Sequence, residues 1–312
     1  MVLLKNIKIL LSLAILLATN ILFAGCNDYT VKTDSHLNTL VEKSFETTAG
    51  KDFVLNAAFG DVFIETSDSP TVSIRILGNK ETKKKVNFDF ENTDEGVTVK
   101  AEKEDSWNFF NFWNHMKLKF QVTLPKNYNA KISSSGGDVY IRNLDGQIST
   151  KTSGGDVSIK DVNGSLMVQT SGGDVTIENI SGNSHLATSG GDIKAASFNG
   201  NLEASTSGGD VTLSGSNGKI KASTFGGEVA LDYSGKNEGI DLYSSGGDIN
   251  LLLPADFNAD AKLSTSGGSI QCKFKINNAE KVTSSKLEGQ LNQGGLPVII
   301  KTSGGDITVK QK

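Results

Sequence analysis

The chain has 312 residues, of which 37% are hydrophobic, and it carries a formal net charge of −4 at pH 7. Its lysines and arginines form no basic block, which argues against a nucleic-acid partner because clustered basic side chains are needed to hold phosphates. Its 2 cysteines are too few for a disulfide framework or a cysteine-based zinc site. We therefore expect no cofactor and no nucleic-acid partner.

The first 25 residues have the pattern of a secretory signal. Lys5 and Lys8 form a short positive region, and the apolar run over residues 9–24 is marginal in length for a membrane span. Removing residues 1–25 leaves 29 basic and 35 acidic residues, so the mature chain has a formal charge of −6. The sequence therefore predicts an exported, mildly acidic protein.

The end of this signal resembles a bacterial lipobox. The sequence Leu22-Phe23-Ala24-Gly25-Cys26 places small residues before a cysteine, although Phe23 stands where leucine is favoured. We predict a lipoprotein signal peptide over residues 1–25, with acylated Cys26 as the membrane anchor. The protein would then lie in the cell envelope, on a periplasmic or a surface face. An uncleaved anchor helix and a plain secreted protein are the alternatives.

Two regions separate Cys26 from the repeats described below. Residues 26–45 are polar and aperiodic, which predicts a tether. Residues 46–130 form an N-terminal β-strand region, because apolar residues alternate with polar ones between polar turns. The strongest strand patterns are Phe59–Glu65, Thr71–Ile76, Val86–Phe90, Val97–Lys100 and Leu118–Leu124.

An aromatic segment interrupts the N-terminal β-strand region. Both tryptophans of the chain lie within seven residues, together with three phenylalanines: Trp107, Phe109, Phe110, Phe112 and Trp113. Such a cluster can pack over the first coil of the repeat region as a cap. It can also form an exposed contact patch for a glycan, a membrane or a protein partner. The sequence leaves both interpretations open.

A repeat with the turn Ser-Gly-Gly-Asp organises residues 131–312. Its acidic residues recur every 18 positions and then less regularly, at Asp138, Asp156, Asp174, Asp192, Asp210, Glu228 and Asp248. A second glycine turn recurs half a repeat away, so that each unit holds two short strands and two reversals. An irregular insertion covers about residues 275–295.

The side-chain pattern of the repeat favours coils stacked on one another. Equivalent apolar residues return at every 18th position, as in Val139, Val157 and Val175. Stacked coils place such residues in columns, whereas a repetitive β-sandwich, the alternative, would alternate them between strands. We predict an all-β fold: a parallel β-solenoid of 18-residue coils, which the N-terminal β-strand region caps or extends.

These motifs resemble the DUF4097 family, a group of bacterial β-repeat proteins proposed to be adhesins. The similarity covers roughly residues 45–312. It includes Phe59–Ile64, Val122–Pro125, the serial Ser-Gly-Gly-Asp turns and the ending Pro297–Ile307. The resemblance implies a β-solenoid-like structure and a role in adhesion, and it implies no catalytic residues.

The acidic column offers a candidate cation site. Stacked coils would align Asp156, Asp174, Asp192 and Asp210 at the ~4.8 Å spacing of neighbouring strands, where like charges repel. Backbone N–H groups could offset this repulsion, and so could a calcium ladder. Calcium needs six to eight oxygens, and the turns do not match the calcium-binding nonapeptide. We favour the structural interpretation and keep cation binding as the alternative.

The sequence favours binding over catalysis. The acidic residues belong to turns repeated in every unit, so none is singled out, and His36, His115 and His185 occur in unrelated contexts. Our leading hypothesis is a lipid-anchored adhesin or binding scaffold for a glycan or protein ligand. The alternatives are a periplasmic structural or sensory lipoprotein with a protein partner and, behind it, a polysaccharide-active β-helix enzyme. Cys272 is expected to be a small core residue.

Overall fold

A computed structural model describes residues 37–103 and 116–312 as a nearly all-β protein with two large sheets. Sheet 1 has 13 strands and sheet 2 has 14. The predictions at Cys26 and at residues 107–113 lie outside the described residues. In spatial order, sheet 1 contains β1 (Asn38–Glu46), β4 (Thr71–Gly78), β7 (Leu118–Pro125), β3 (Asp61–Ser67), β9 (Val139–Arg142), β11 (Val157–Asn163), β13 (Val175–Ser181), β15 (Ile193–Asn199), β17 (Val211–Ser216), β19 (Val229–Ser234), β21 (Ile249–Leu253), β27 (Ile307–Gln311) and β23 (Ile270–Cys272).

Sheet 2 runs alongside sheet 1 and supplies the other strand of each coil. In spatial order it contains β24 (Ile276–Val282), β25 (Lys286–Leu291), β22 (Ala259–Thr265), β26 (Pro297–Thr302), β20 (Ile240–Ser244), β18 (Ile220–Thr224), β16 (Leu202–Ser205), β14 (Ser184–Ala187), β12 (Leu166–Gln169), β10 (Ile148–Thr152), β8 (Asn129–Ser134), β2 (Asp52–Ala57), β6 (Gly96–Lys103) and β5 (Val86–Thr93). The short helix α1 (Lys80–Lys85) is capped by Asn79, whose side chain accepts from the N–H of Thr82.

The coils stack in parallel, and their register confirms the predicted solenoid. Val157 pairs with Val139 on one side and with Val175 on the other, so residues 18 apart are direct neighbours. The alternating side chains of these strands put the valine and isoleucine columns inside, where they are almost completely buried. The core is therefore a continuous column of valine, isoleucine and leucine side chains between the two sheets, with buried aromatic rings such as Phe53, Phe120 and Tyr233.

The Ser-Gly-Gly-Asp corners allow neighbouring coils to approach closely. A Cβ on the second glycine of a corner, Gly191, would lie 2.2 Å from the carbonyl oxygen of Gly173 in the preceding coil. The buried hydroxyl of Thr188 donates to that same oxygen (2.8 Å) and accepts from the N–H of Gly191 (3.4 Å). Equivalent bonds recur from Thr170 to Thr302, so a ladder of buried hydroxyls ties the corners together.

Spatial order departs from chain order at both ends of the solenoid. The coil of β2 and β3 lies between the coil of β6 and β7 and the coil of β8 and β9. Likewise, the last coil, β26 and β27, is inserted between β20–β21 and β22–β23. Antiparallel strands close each end: β1, β4 and β5 at one, β24 and β25 at the other. The N-terminal region thus both extends and caps the solenoid.

Two boundaries differ from the sequence analysis. Strand β1 begins at Asn38, inside the predicted tether of residues 26–45, and it pairs with β4 over its length. Its pattern was missed because most of its side chains are exposed at the sheet edge. The irregular insertion of residues 275–295 contains a β-hairpin, β24 and β25, which extends sheet 2 by antiparallel pairing with β22.

Candidate functional site

The acidic column at the corners is a ladder of hydrogen bonds between coils. The backbone N–H of Asp174 donates to Oδ1 of Asp156 at 2.8 Å, and that of Asp192 donates to Oδ1 of Asp174 at 2.8 Å. The same contact continues to Asp210 and Glu228. Each aspartate from Asp138 to Asp210 therefore accepts from the N–H of the equivalent residue in the next coil.

This ladder gives the acidic residues a structural role. An N–H donor on each carboxylate is a charge-assisted bond, which offsets repulsion between neighbouring aspartates. At the N-terminal end, burial raises the pKa of Asp61 and outweighs the bond that its carboxylate accepts from the backbone N–H of Asp138, which lowers it. Within residues 37–103 and 116–312, no three His, Cys, Asp or Glu side chains are grouped to hold a metal ion. Cation binding by Asp156, Asp174, Asp192 and Asp210 stays a prediction.

A shallow groove crosses the outer face of sheet 2, with a volume of about 580 Å³. It runs along the stacking direction across β10, β12, β14, β16 and β18, and at ~4.8 Å per coil it is about 20 Å long. Two outward columns provide its side chains, and Lys131 flanks them. The first column contains Gln147, Ser165, Asn183, Asn201 and Lys219, and the second contains Ser149, Met167, His185, Glu203 and Lys221. The long axis of the groove suits an extended, polar ligand.

A known family has this arrangement of coils. The sequence profile of the family described as Toastrack DUF4097 matches residues 51–310, from the start of β2 almost to the end of β27. The chain is a member of the Toastrack DUF4097 family. The resemblance seen in the sequence is thereby confirmed. A search of curated proteins found no match.

Several solved structures are similar to this Toastrack chain. One, described as a "putative adhesin" from Bacteroides fragilis, is 18% identical with a TM-score of 0.48, over 88% of this chain and 97% of that one. A "putative adhesin" from Parabacteroides merdae is 15% identical with a TM-score of 0.42, over 89% and 97%. A "putative cell adhesion protein" from Clostridium sporogenes is 13% identical with a TM-score of 0.30, over 87% and 99%.

One acidic side chain of the groove, Glu203, is paired with two neighbours, whereas Lys131 at the opposite end bonds Asp52 outside the groove. Glu203 accepts from Nζ of Lys221 at 2.8 Å and lies 3.3 Å from Nδ1 of His185, and these contacts lower the pKa of its carboxyl, chiefly through the bond from Lys221. His185 lies between Met167 and Glu203 on the outer face of sheet 2. This Toastrack groove therefore presents amides, hydroxyls, lysine side chains and one paired carboxylate, together with the exposed side chain of Met167.

The thiol of Cys272 in this Toastrack chain is poorly suited to nucleophilic chemistry. Cys272 is half-buried and has no disulfide partner within the described residues, and burial raises the pKa of its thiol. A raised pKa keeps a thiol protonated and weakly nucleophilic.

Within residues 37–103 and 116–312, no helix is long and apolar enough to cross a membrane.

The groove was not predicted from the sequence, because the acidic turns are the polar residues that recur most regularly. The outward column from Ser149 to Lys221 changes its chemistry from coil to coil, while the two inward columns beside it are apolar except at Thr150 and Ser184. That contrast is the signal that marks the outward column in the sequence. The same comparison points to Phe225, which stands where Ser207 and Ser245 stand in the adjacent coils.

Proposed function

We propose that this Toastrack protein is a non-catalytic binding protein of the cell envelope, anchored through lipid on Cys26, that holds an extended ligand in the groove of sheet 2. The observation that carries the proposal is the groove itself, about 20 Å of outward amide, hydroxyl and charged side chains over an apolar floor on one sheet. Ligand sites commonly combine concave shape with a few polar groups that fix orientation.

The chemistry of the groove supports binding rather than catalysis. A catalytic centre needs an acid, a base or a nucleophile left free to react beside the substrate. Here Glu203 is engaged by Lys221 and His185 on the groove surface. The remaining polar lining consists of two lysines and of asparagine, glutamine and serine side chains, and these amides and hydroxyls donate and accept hydrogen bonds without titrating at physiological pH.

The groove is tested by steric filling with a matched control. We expect the chain without its signal to bind at least one component of an array of glycans and extracellular-matrix proteins. Ser149→Trp places a large ring in the groove and should abolish that binding. Ser158→Trp places the same ring outside sheet 1, on the next strand of the chain, and should leave it intact. A bound ligand that both variants retain would refute the groove as the site.

The anchor is tested separately from the groove. Wild-type chain produced in its host should incorporate labelled fatty acid and sediment with membranes, because Cys26 would become acylated. Cys26→Ser should remove both properties. If wild-type chain carries no label, the anchoring part of the proposal is wrong, whatever the array shows.

The second candidate function is a periplasmic structural or sensory lipoprotein with a protein partner. The hydrogen-bonded corners, which make the solenoid a rigid rod, are the observation in its favour. Protease added to intact cells separates the two candidates. Digestion of the chain on intact cells supports a surface-facing binding protein, whereas protection until the outer barrier is opened supports the periplasmic one.

A further inference from the structure

The short helix at the N-terminal end of the solenoid presents three lysines to solvent on one face. In α1, Lys80, Lys83 and Lys84 are exposed, while Thr82 between them is fully buried. At 3.6 residues per turn, the three lysines lie on the side of the helix opposite Thr82. We call them the lysine face. They do not form an uninterrupted basic block in the sequence, because Glu81 and Thr82 separate them.

The side of α1 opposite the lysine face is bonded to the solenoid. The hydroxyl of Thr82 donates to the carbonyl oxygen of Lys117 at 2.9 Å, and the side chain of Asn79 accepts from the N–H of Thr82 at 3.0 Å. Val86, which follows α1 directly, is buried and begins β5. These contacts fix the direction in which the lysine face points, away from the solenoid.

The lysine face is not neutralised by acidic side chains. Within residues 37–103 and 116–312, none of its three lysines is ion-paired, whereas Lys160 and Lys286 on the faces of the solenoid pair with glutamates. Glu81, the only acidic residue of α1, lies in the first turn, where a negative charge stabilises the helix dipole. The lysine face therefore keeps a positive charge on a helix that has no apolar residue.

The chain enters the solenoid next to the lysine face. Asn38, the first residue of β1, pairs with Gly78, the last residue of β4, and Lys80 follows two residues later. The Cα of Lys80 is therefore at most about 13 Å from that of Asn38. Fully extended, the chain from Cys26 to Asn38 spans about 40 Å. Chain connectivity alone thus keeps a bilayer that holds Cys26 within reach of the lysine face.

An anionic membrane surface fits the lysine face better than a protein or a nucleic acid does. Lysine is a flexible, strongly hydrated point charge, which suits a diffuse layer of phosphate headgroups. Protein interfaces are depleted of lysine and enriched in aromatic side chains and arginine, and α1 contains neither. A nucleic-acid site typically engages about 6–10 phosphates, which is more than three lysines can neutralise.

We propose that the lysine face docks on anionic phospholipid headgroups and holds the N-terminal end of the solenoid against the membrane. This inference rests on the proposed anchor at Cys26 and adds the surface that orients the anchored protein. Each lysine near an anionic surface favours the bound state about fivefold, and the anchor keeps the lipid at high local concentration. The groove begins at β10, four strands from β5 and about 19 Å along the stack, so docking leaves it open to its ligand.

The test sediments the chain from residue 27 onwards, which carries no acyl group, with vesicles of phosphatidylglycerol or of phosphatidylcholine. At about 0.1 M NaCl the Debye length of ~10 Å screens the rest of this acidic chain. We expect binding to phosphatidylglycerol vesicles only, lost at about 0.5 M NaCl. Lys80→Gln, Lys83→Gln and Lys84→Gln together should weaken binding roughly a hundredfold, about fivefold per lysine. Arginine at the same three positions keeps the charge and should preserve binding.

The control removes three exposed lysines that lie far from α1 in the order of strands: Lys194→Gln, Lys301→Gln and Lys310→Gln together. It lowers the net charge by the same amount and should bind like wild type. An equal loss of binding in both triple glutamine variants would overturn the inference, because net charge rather than the lysine face would then control binding.

Two other outcomes would also overturn the inference. They are failure of the wild-type sequence to bind phosphatidylglycerol vesicles, and equally tight binding to a DNA duplex at the same phosphate concentration. The chain used in this test carries no lipid, so its result is independent of the fatty-acid labelling of Cys26. A wild-type chain that is labelled in its host but does not bind vesicles in this test refutes the lysine face alone and leaves the anchor standing.

Discussion

Replacing Gly191 by alanine should destabilise the solenoid much more than the same change one residue earlier. The new Cβ would lie 2.2 Å from the Gly173 carbonyl oxygen, whereas C–H···O contacts need about 3.3 Å. The coils must separate by about 1 Å at this corner, which also strains the bond from Thr188 to that oxygen. Overpacking of about 1–3 kcal/mol and a weakened buried bond of about 1 kcal/mol together give roughly 3 kcal/mol.

The control is Gly190→Ala in the same turn. Its new Cβ would meet nothing closer than 3.6 Å, an ordinary contact. We expect a change between neutral and a gain of about 0.4–1 kcal/mol, because alanine restricts the unfolded chain. Urea denaturation of both variants, with wild type alongside, measures the difference through the transition midpoint. Equal midpoints for the two alanine variants would refute the idea that the second glycine is fixed by close approach of coils.

Three further predictions follow from the ladders and the acidic column. Thr188→Val should lower the free energy of unfolding by about 2 kcal/mol, since it leaves a buried carbonyl and N–H unpaired. The control, Thr176→Val on the exposed face of sheet 1, should change it by no more than about 0.5 kcal/mol. Equal urea midpoints for the two variants would contradict this prediction. Because the pKa of Asp61 is raised, its carboxyl favours folding at low pH, and this contribution is lost as pH rises. Asp61→Asn should therefore stabilise the folded protein, relative to wild type, more at pH 7 than at pH 4. An equal gain in stability at both pH values would count against this explanation. Millimolar calcium should raise Tm by less than about 2 °C; a larger rise, reversed by chelator, would restore the calcium ladder.

The repeat made the solenoid predictable because the 18-residue period is also the pairing register. Val139, Val157 and Val175 recur in the sequence at the spacing at which their strands pair in the structure. The order of coils at the ends could not be obtained this way. Insertion of Pro297–Thr302 beside β20 depends on which edges remain open after the earlier coils have stacked, and the local pattern of that strand carries no such information.

The candidate site was only partly predictable for a related reason. A corner aspartate such as Asp174 attracts attention because it recurs, but recurrence is what a coil-to-coil hydrogen bond demands of every unit. The groove residues His185 and Glu203 do not recur, so a search for repeated chemistry passes over them. Their proximity becomes visible only when parallel pairing places β16 beside β14 and β18.

The inward and outward side-chain columns have different roles, and this difference has a consequence for ligand specificity. The inward columns and the corners must repeat, because each coil supplies half of its neighbour's packing and hydrogen bonds. Outward positions on sheet 2 contact only solvent and adjacent outward side chains, so replacing one leaves the coil intact. Met167, His185 and Glu203 occupy equivalent positions in successive coils yet differ in chemistry, at no cost to the interior beneath them. A solenoid of this kind can therefore change its ligand by surface substitution alone, and the place to look for recognition in each relative is where the outward columns break the repeat.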